Sequence, residues 1–129
     1  MSFTPSPYLF VREPILVLDK DLMDAYLKAF LPGWTEEQKK DPNVSPLYAD
    51  LEKLRGRLPP ALFTCGTEDC LLDDTVFMSA RWFIAGAETV VKIIPGGCHG
   101  YIMFPRDMAG SGAKEGCEAV EEFVRQKIG

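Results

Sequence analysis

The sequence predicts an α/β domain built on a parallel sheet. Two short apolar or β-branched runs, residues 61–65 and 89–94, each stop at a glycine-bearing turn. Each run is followed by a loop and then by a segment with helical periodicity. The second half of the chain therefore reads strand, loop, helix, strand, loop, helix, the alternation that βαβ units produce. With 47% hydrophobic and 26% charged residues in 129, the chain has the apolar material for one core and hardly the length for two.

The elements follow in order. Residues 1–14 carry Pro5, Pro7 and Pro14 and read as an extended arm, so we divide the chain into an arm over residues 1–20 and one α/β subdomain over 21–129. Ile15-Leu16-Val17-Leu18 is too short a run to type by period. Asp19 or Asp21 then caps a helix whose apolar face holds Leu22, Met23, Tyr26, Leu27, Phe30 and Leu31. Pro32-Gly33 ends it. Residues 34–60, broken by Asp41-Pro42, Ser45-Pro46 and Pro59-Pro60, form an irregular connection with a helical turn near 48–54. Residues 61–65 read as a buried strand ending at Gly66. A loop to Asp73 leads into a helix over 74–85, with Asp73 as its cap and Val76, Phe77, Ala80, Phe83 and Ile84 as its apolar face. Trp82 packs beside or opposite that stripe. The strand at 89–94, interrupted only by Lys92, closes at Pro95-Gly96-Gly97. A last helix over 114–127 carries Cys117, Val120, Phe123, Val124 and Ile128 on one side.

The charge balance excludes some function classes. Fourteen basic against nineteen acidic residues give a net charge of −5, which disfavours a general nucleic-acid binder. No apolar run approaches the ~20 residues of a membrane span, and no basic-then-apolar leader opens the chain. Cys65, Cys70, Cys98 and Cys117 form no C-x-x-C pair, and one histidine cannot complete a Cys₂His₂ zinc set. Four reduced thiols in a cytoplasmic protein, two or more of them buried, is the reading they favour, with no metal and no cofactor.

Parallel sheets collect their chemistry at the carboxyl ends of the strands. The two loops leaving those ends carry Asp69 and His99. Each alone reads as a structural loop residue, Asp69 ahead of a helix and His99 beside Gly97 and Gly100. Consecutive strands often lie side by side, so the two side chains can meet across 30 positions. A carboxylate on one imidazole nitrogen sets the tautomer and leaves the other nitrogen as a base.

With these residues in view, the chain from about residue 20 onward resembles the C-terminal third of α/β-hydrolase-fold esterases and lipases of the hormone-sensitive-lipase type. Asp41-Pro42, Ser45-Pro46-Leu47 and Ala49-Asp50-Leu51 are similar to the stretch before that family's penultimate core strand, which Leu58-Pro59-Pro60-Ala61 would open. Asp69-Cys70-Leu71-Leu72-Asp73 is similar to the acid loop, with Cys70 where proline is usual. His99-Gly100-Tyr101 is similar to its His-Gly-Phe. The resemblance implies Asp69 as triad acid and His99 as general base of a serine carboxyl-ester hydrolase, with Gly96, Gly97 and Gly100 shaping the histidine loop. It implies a partial α/β-hydrolase fold, a sheet edge left open, and a small-molecule ester as substrate of the complete enzyme.

The family's nucleophile precedes the acid, in G-x-S-x-G on a strand-to-helix turn. Here Ser2, Ser6 and Ser45 are the upstream serines, and none has glycines at both flanking positions. The His-Gly-Gly-Gly oxyanion loop and the first strands of the sheet are absent too. Ser111, between Gly110 and Gly112, lies after the histidine with no strand before it and reads as a loop residue. Cys98 is a chemically reasonable nucleophile, but side chains of adjacent loop residues diverge; Cys70 sits beside a carboxylate that disfavours its thiolate. Three functions follow from this set: the acid–base part of an ester hydrolase; a non-catalytic module that forms a homodimer through its open sheet edge; or a hydrolase using Cys98 or a serine from another chain.

Overall fold

The computed structural model describes residues 17–128. Residues 1–16, which hold most of the expected arm and the first half of the 15–18 run, lie outside the described residues, and Lys20, expected in the arm, opens α1. The elements are helix α1 (Lys20–Phe30), strand β1 (Ala61–Gly66), helix α2 (Leu72–Ile84), strand β2 (Thr89–Ile94) and helix α3 (Ala113–Ile128). Short 3₁₀ turns at Gln38–Lys40, Pro46–Tyr48 and Leu51–Leu54 punctuate the long connection, and another at Tyr101–Met103 follows the histidine loop.

β1 and β2 pair in parallel, Ala61 opposite Thr89 through Gly66 opposite Ile94. The expected βαβ unit is therefore present, with α2 as its crossover. The Phe63 ring meets Trp82 of α2 edge-on, with centroids 6.0 Å apart. Thr64, the next residue and so on the opposite face, meets the hydroxyl of Tyr101. α3 lies over that tyrosine: a Cβ on Gly116 would come within 2.4 Å of the Tyr101 ring. The two helices thus cover opposite faces of the sheet.

Local physics accounts for the ends of these elements. Asp19 caps α1, its Oδ1 accepting from the Leu22 amide at 2.7 Å, which satisfies one of the free amides of a first turn. Leu31 closes it, and Gly33 at φ +76° turns the chain away. The 46–54 region is pinned on α2 by side chains reaching carbonyls, Arg81 to Ala49 and Arg55 to Ile84. Trp82 donates to the Pro59 carbonyl at 3.0 Å, which satisfies its indole N–H where the ring is half-buried.

Several expectations are corrected. β1 is half-buried rather than buried, with only Cys65 and Gly66 enclosed, because among the described residues no third strand shields its outer edge. Of the expected apolar face of α1, only Met23 and its neighbour Leu31 are buried, whereas Leu22, Tyr26 and Phe30 face outward. Asp73 does not cap α2: the helix begins two residues earlier than expected, at Leu72, and the cap position is Leu71 with no side-chain bond. Asp73 sits in the first turn instead, where its charge still favours the helix N-terminus. The apolar stripe Val76, Phe77, Ala80, Phe83, Ile84 lies outward, away from the sheet. Ser79 is buried and Thr75, Met78 and Trp82 are half-buried on the other side of the helix.

Candidate active site

The parallel register sends both strands out of the sheet at the same end. Their loops are then tied together by backbone bonds. Thr67 N–H donates to the Ile94 carbonyl at 2.9 Å, and Glu68 N–H to the Gly97 carbonyl at 2.8 Å. The Gly96 amide returns a bond to Thr67 Oγ1 at 2.9 Å. These bonds continue the strand pairing past its formal end and hold one loop against the other. Gly66 and Gly97 make that approach possible, since a Cβ on Gly66 would fall 1.8 Å from the Gly97 oxygen.

Asp69 and His99 are carried on this clasp. The carboxylate of Asp69 is buried, its residue only 6% exposed. Its Oδ1 accepts from the Leu71 amide at 2.9 Å. Its Oδ2 lies 3.0 Å from His99 Nδ1. A carboxylate acceptor at Nδ1 selects the tautomer with the proton there, leaving Nε2 with its lone pair. The imidazole is half-buried, so its outer nitrogen stands where a reacting group can approach. Gly100 at φ +70° turns the chain sharply behind the ring. Tyr101 then anchors the loop: it is buried, and its hydroxyl bonds Thr64 Oγ1 across the sheet. Of the three glycines expected to shape this loop, Gly96 and Gly100 adopt positive φ, whereas Gly97 serves by close packing.

The remaining candidates are not brought to this pair. Cys70 Sγ points to Met23 Sδ of α1 at 3.8 Å, within a small buried cluster with Leu18. Ser111 spends its hydroxyl on its own turn, donating to the Met108 carbonyl and accepting from the Ala113 amide. Cys98 neighbours His99 in sequence, but the histidine's hydrogen bond goes to Asp69. Sequence reasoning did not foresee Thr67 as the tie between the loops or Tyr101 as the anchor. The hydroxyl of Thr67 acts on a backbone amide, and no residue pattern announces that contact. A cleft of about 580 Å³ beside β2, lined by Lys92, Ile94, Arg106 and Lys114 among others, contains neither Asp69 nor His99.

Thiol chemistry is graded by burial. Exclusion from water pushes the Cys65 and Cys70 thiols up from 9 to about 11, with the Asp69 charge adding to it. Cys98 and Cys117 are only half-buried. Ellman's reagent at neutral pH should therefore titrate Cys98 and Cys117 promptly, and Cys65 and Cys70 only on unfolding. Four thiols reacting at one fast rate would contradict this. The folded chain also keeps the two buried protons longer than the unfolded chain does. Stability should consequently fall as pH rises from 9 toward 11, seen as a declining Tm.

Among the described residues no helix is long and apolar enough to cross a membrane. Comparison with known proteins agrees with the geometry. No curated protein matches the chain. Solved structures do. An α/β hydrolase from the Lake Arreo metagenome is 27% identical with a TM-score of 0.72, over 88% of this chain and 35% of that one. The thermophilic carboxylesterase EstE1, cloned from a metagenomic library, is 27% identical with a TM-score of 0.70, over 92% and 37%. EstE7, a hormone-sensitive-lipase homologue from a metagenome library, is 28% identical with a TM-score of 0.62, over 81% and 34%. The chain spans about a third of the length of these structures. A family model described as the α/β-hydrolase fold matches residues 6–103. With that match over most of its length, and with a parallel sheet bearing an acid and a histidine on successive loops, the chain belongs to the α/β-hydrolase family and is related to its hormone-sensitive-lipase-type carboxylesterases.

Proposed function

We propose that this chain supplies the acid–base part of a serine carboxyl-ester hydrolase. The observation that carries the reading is the Asp69 Oδ2–His99 Nδ1 contact of 3.0 Å on two clasped loops at the carboxyl ends of parallel strands. In the complete enzyme His99 Nε2 takes the proton from a serine hydroxyl as it attacks the ester carbonyl. It then hands that proton to the departing alkoxide. Water, activated by the same nitrogen, clears the acyl-serine. Asp69 holds the ring and stabilises the imidazolium formed in between. The serine, its G-x-S-x-G turn and the oxyanion donors come from strands that pair beyond β1, either upstream in the same reading frame or on another chain. The walls of the acyl pocket come from there too. The chemistry asks only for an acid, a base and a serine, and four free thiols favour a cytoplasmic setting.

The test is p-nitrophenyl acetate turnover, measured on the 129-residue chain and on the same chain joined to a G-x-S-x-G-bearing N-terminal portion. Serine-dependent turnover is expected only from the joined form, and it should vanish in His99→Ala. Turnover that survives both His99→Ala and Asp69→Asn would reject the reading.

A second reading rests on the unpaired side of β1, whose one partner among the described residues is β2. An open edge offers amides and carbonyls for another strand. On this reading the chain persists as a non-catalytic module, a homodimer through that edge. Hydrogen exchange checks it: the outer β1 amides should be protected in the isolated chain, and rapid exchange there would rule it out.

A further inference from the structure

Helix α2 carries two different faces. At 100° per residue, Thr75, Met78, Ser79 and Trp82 point to the sheet. Val76, Phe77, Ala80, Phe83 and Ile84 point the opposite way. That outer stripe is 43% exposed at Val76, 53% at Phe77, 69% at Phe83 and 65% at Ile84. Strands added beside β1 extend the sheet in its own plane and do not pass over this outer face.

The stripe is close to a palindrome about Ala80. Counting outward, Phe77 mirrors Phe83 and Val76 mirrors Ile84, aromatic with aromatic and β-branched with β-branched. A small residue at the centre lets two helix backbones approach closely. Asp73, seven residues before Ala80 and so on the same face, lies at the acidic N-terminal turn. At the other end the Arg55 guanidinium, ion-paired with Glu52 of its own chain, bonds the Ile84 carbonyl at 2.9 Å and lies close to Gly86. A two-fold axis at Ala80 places position 73 of one copy against position 87 of the other, beside that guanidinium.

From this symmetry we infer that the outer face of α2 is a self-association surface, occupied by α2 of a second copy running antiparallel about an axis at Ala80. The occupant is a second copy because only a self-complementary pattern makes the same patch both donor and acceptor of the contact. The four large side chains present roughly 400 Å² per copy, an area in the weak, reversible class of interfaces. The expected behaviour is a monomer–dimer equilibrium in the micromolar range. The inference stands independently of the ester-hydrolase reading and names a surface other than the sheet edge.

Sedimentation velocity over a concentration series, together with a cysteine cross-link, tests it. The unmodified chain should shift from monomer to dimer as concentration rises. Phe83→Glu should raise the dissociation constant at least about tenfold, while Phe30→Glu, an equally exposed phenylalanine on α1, should leave it unchanged. Under copper-phenanthroline oxidation Ala80→Cys should give covalent dimer well above the unmodified chain and above Ala29→Cys. A chain monomeric to hundreds of micromolar, a dimer indifferent to Phe83→Glu, or an Ala80→Cys variant that does not cross-link overturns the inference. An edge-paired dimer is told apart because it survives Phe83→Glu and fails to cross-link at position 80.

Discussion

On the proposed reading, Asp69→Asn should lower kcat for ester hydrolysis by about 10⁴-fold in the chain joined to a G-x-S-x-G-bearing N-terminal portion, with KM changed only a few-fold. The size follows from what the carboxylate does. It is buried, so its charge acts on the imidazole through little water. It is held on its other oxygen by the Leu71 amide, so it neither rotates nor drifts. Asparagine keeps the shape, but its amide can turn an N–H toward Nδ1, which drives the ring proton to Nε2. The base is then occupied. The developing imidazolium also loses its counter-charge. A 10⁴-fold loss corresponds to about 5.5 kcal/mol of transition-state stabilisation. His99→Ala removes the base itself and should cost on the order of 10⁶-fold. Initial rates with p-nitrophenyl acetate measure both. Imidazole ¹⁵N shifts on the 129-residue chain report the tautomer directly: Nδ1–H in the parent and a shift toward Nε2–H in Asp69→Asn. A rate loss under tenfold, or an unchanged tautomer, would remove Asp69 from the role.

Gly66→Ala destabilises the fold by about 3 kcal/mol or more. Its Cβ would lie 1.8 Å from the Gly97 oxygen and 2.2 Å from the Gly97 carbonyl carbon. The obstacle is backbone, and that backbone is itself fixed by the Glu68 amide bonding the same oxygen. No rotamer change relieves such a contact, so the two loops must part. Overpacking typically costs about 1–3 kcal/mol where side chains can shift, and here they are not what clashes. Against a total stability of ~5–15 kcal/mol, that is a large share. Gly33→Ala is the control. Its Cβ meets nothing within 4 Å, although its φ is +76°, so only the backbone preference is lost, about 1 kcal/mol. Urea unfolding followed by circular dichroism should show a much larger fall in midpoint for Gly66→Ala than for Gly33→Ala. Equal falls would mean that the loop approach is not tightly held. Because Asp69 and His99 ride on those loops, the same substitution should separate them.

How much of this was readable in the residues differs from element to element. The β2 bounds and the βαβ order were legible because β-branched runs and glycine turns are local signals. The Asp69–His99 pairing was legible from the placement of both after successive strands, and the 3.0 Å contact places them as expected. The cap of α2 was misread because a helix start depends on where the preceding loop releases the chain. Asp69 holds that loop through the Leu71 amide, so helix geometry begins at Leu72 rather than after Asp73. The members of the α2 stripe were legible, but not its direction. Periodicity shows that apolar residues share a face; it carries no information on which neighbour that face meets. Trp82, absent from the stripe, turned out to be the residue on the sheet, because Phe63 and the Pro59 carbonyl lie within its reach.

By itself, the sequence determined the element types, their order, and the placement of Asp69 and His99 on successive loops, because each is set by local periodicity and turn residues. Only the tertiary structure decided that Thr67, Gly66 and Gly97 clasp the two loops, that Cys70 faces α1 rather than the site, and that the most apolar face of α2 looks outward. Those are outcomes of packing between segments far apart in the chain, settled by which surfaces compete for the same neighbour.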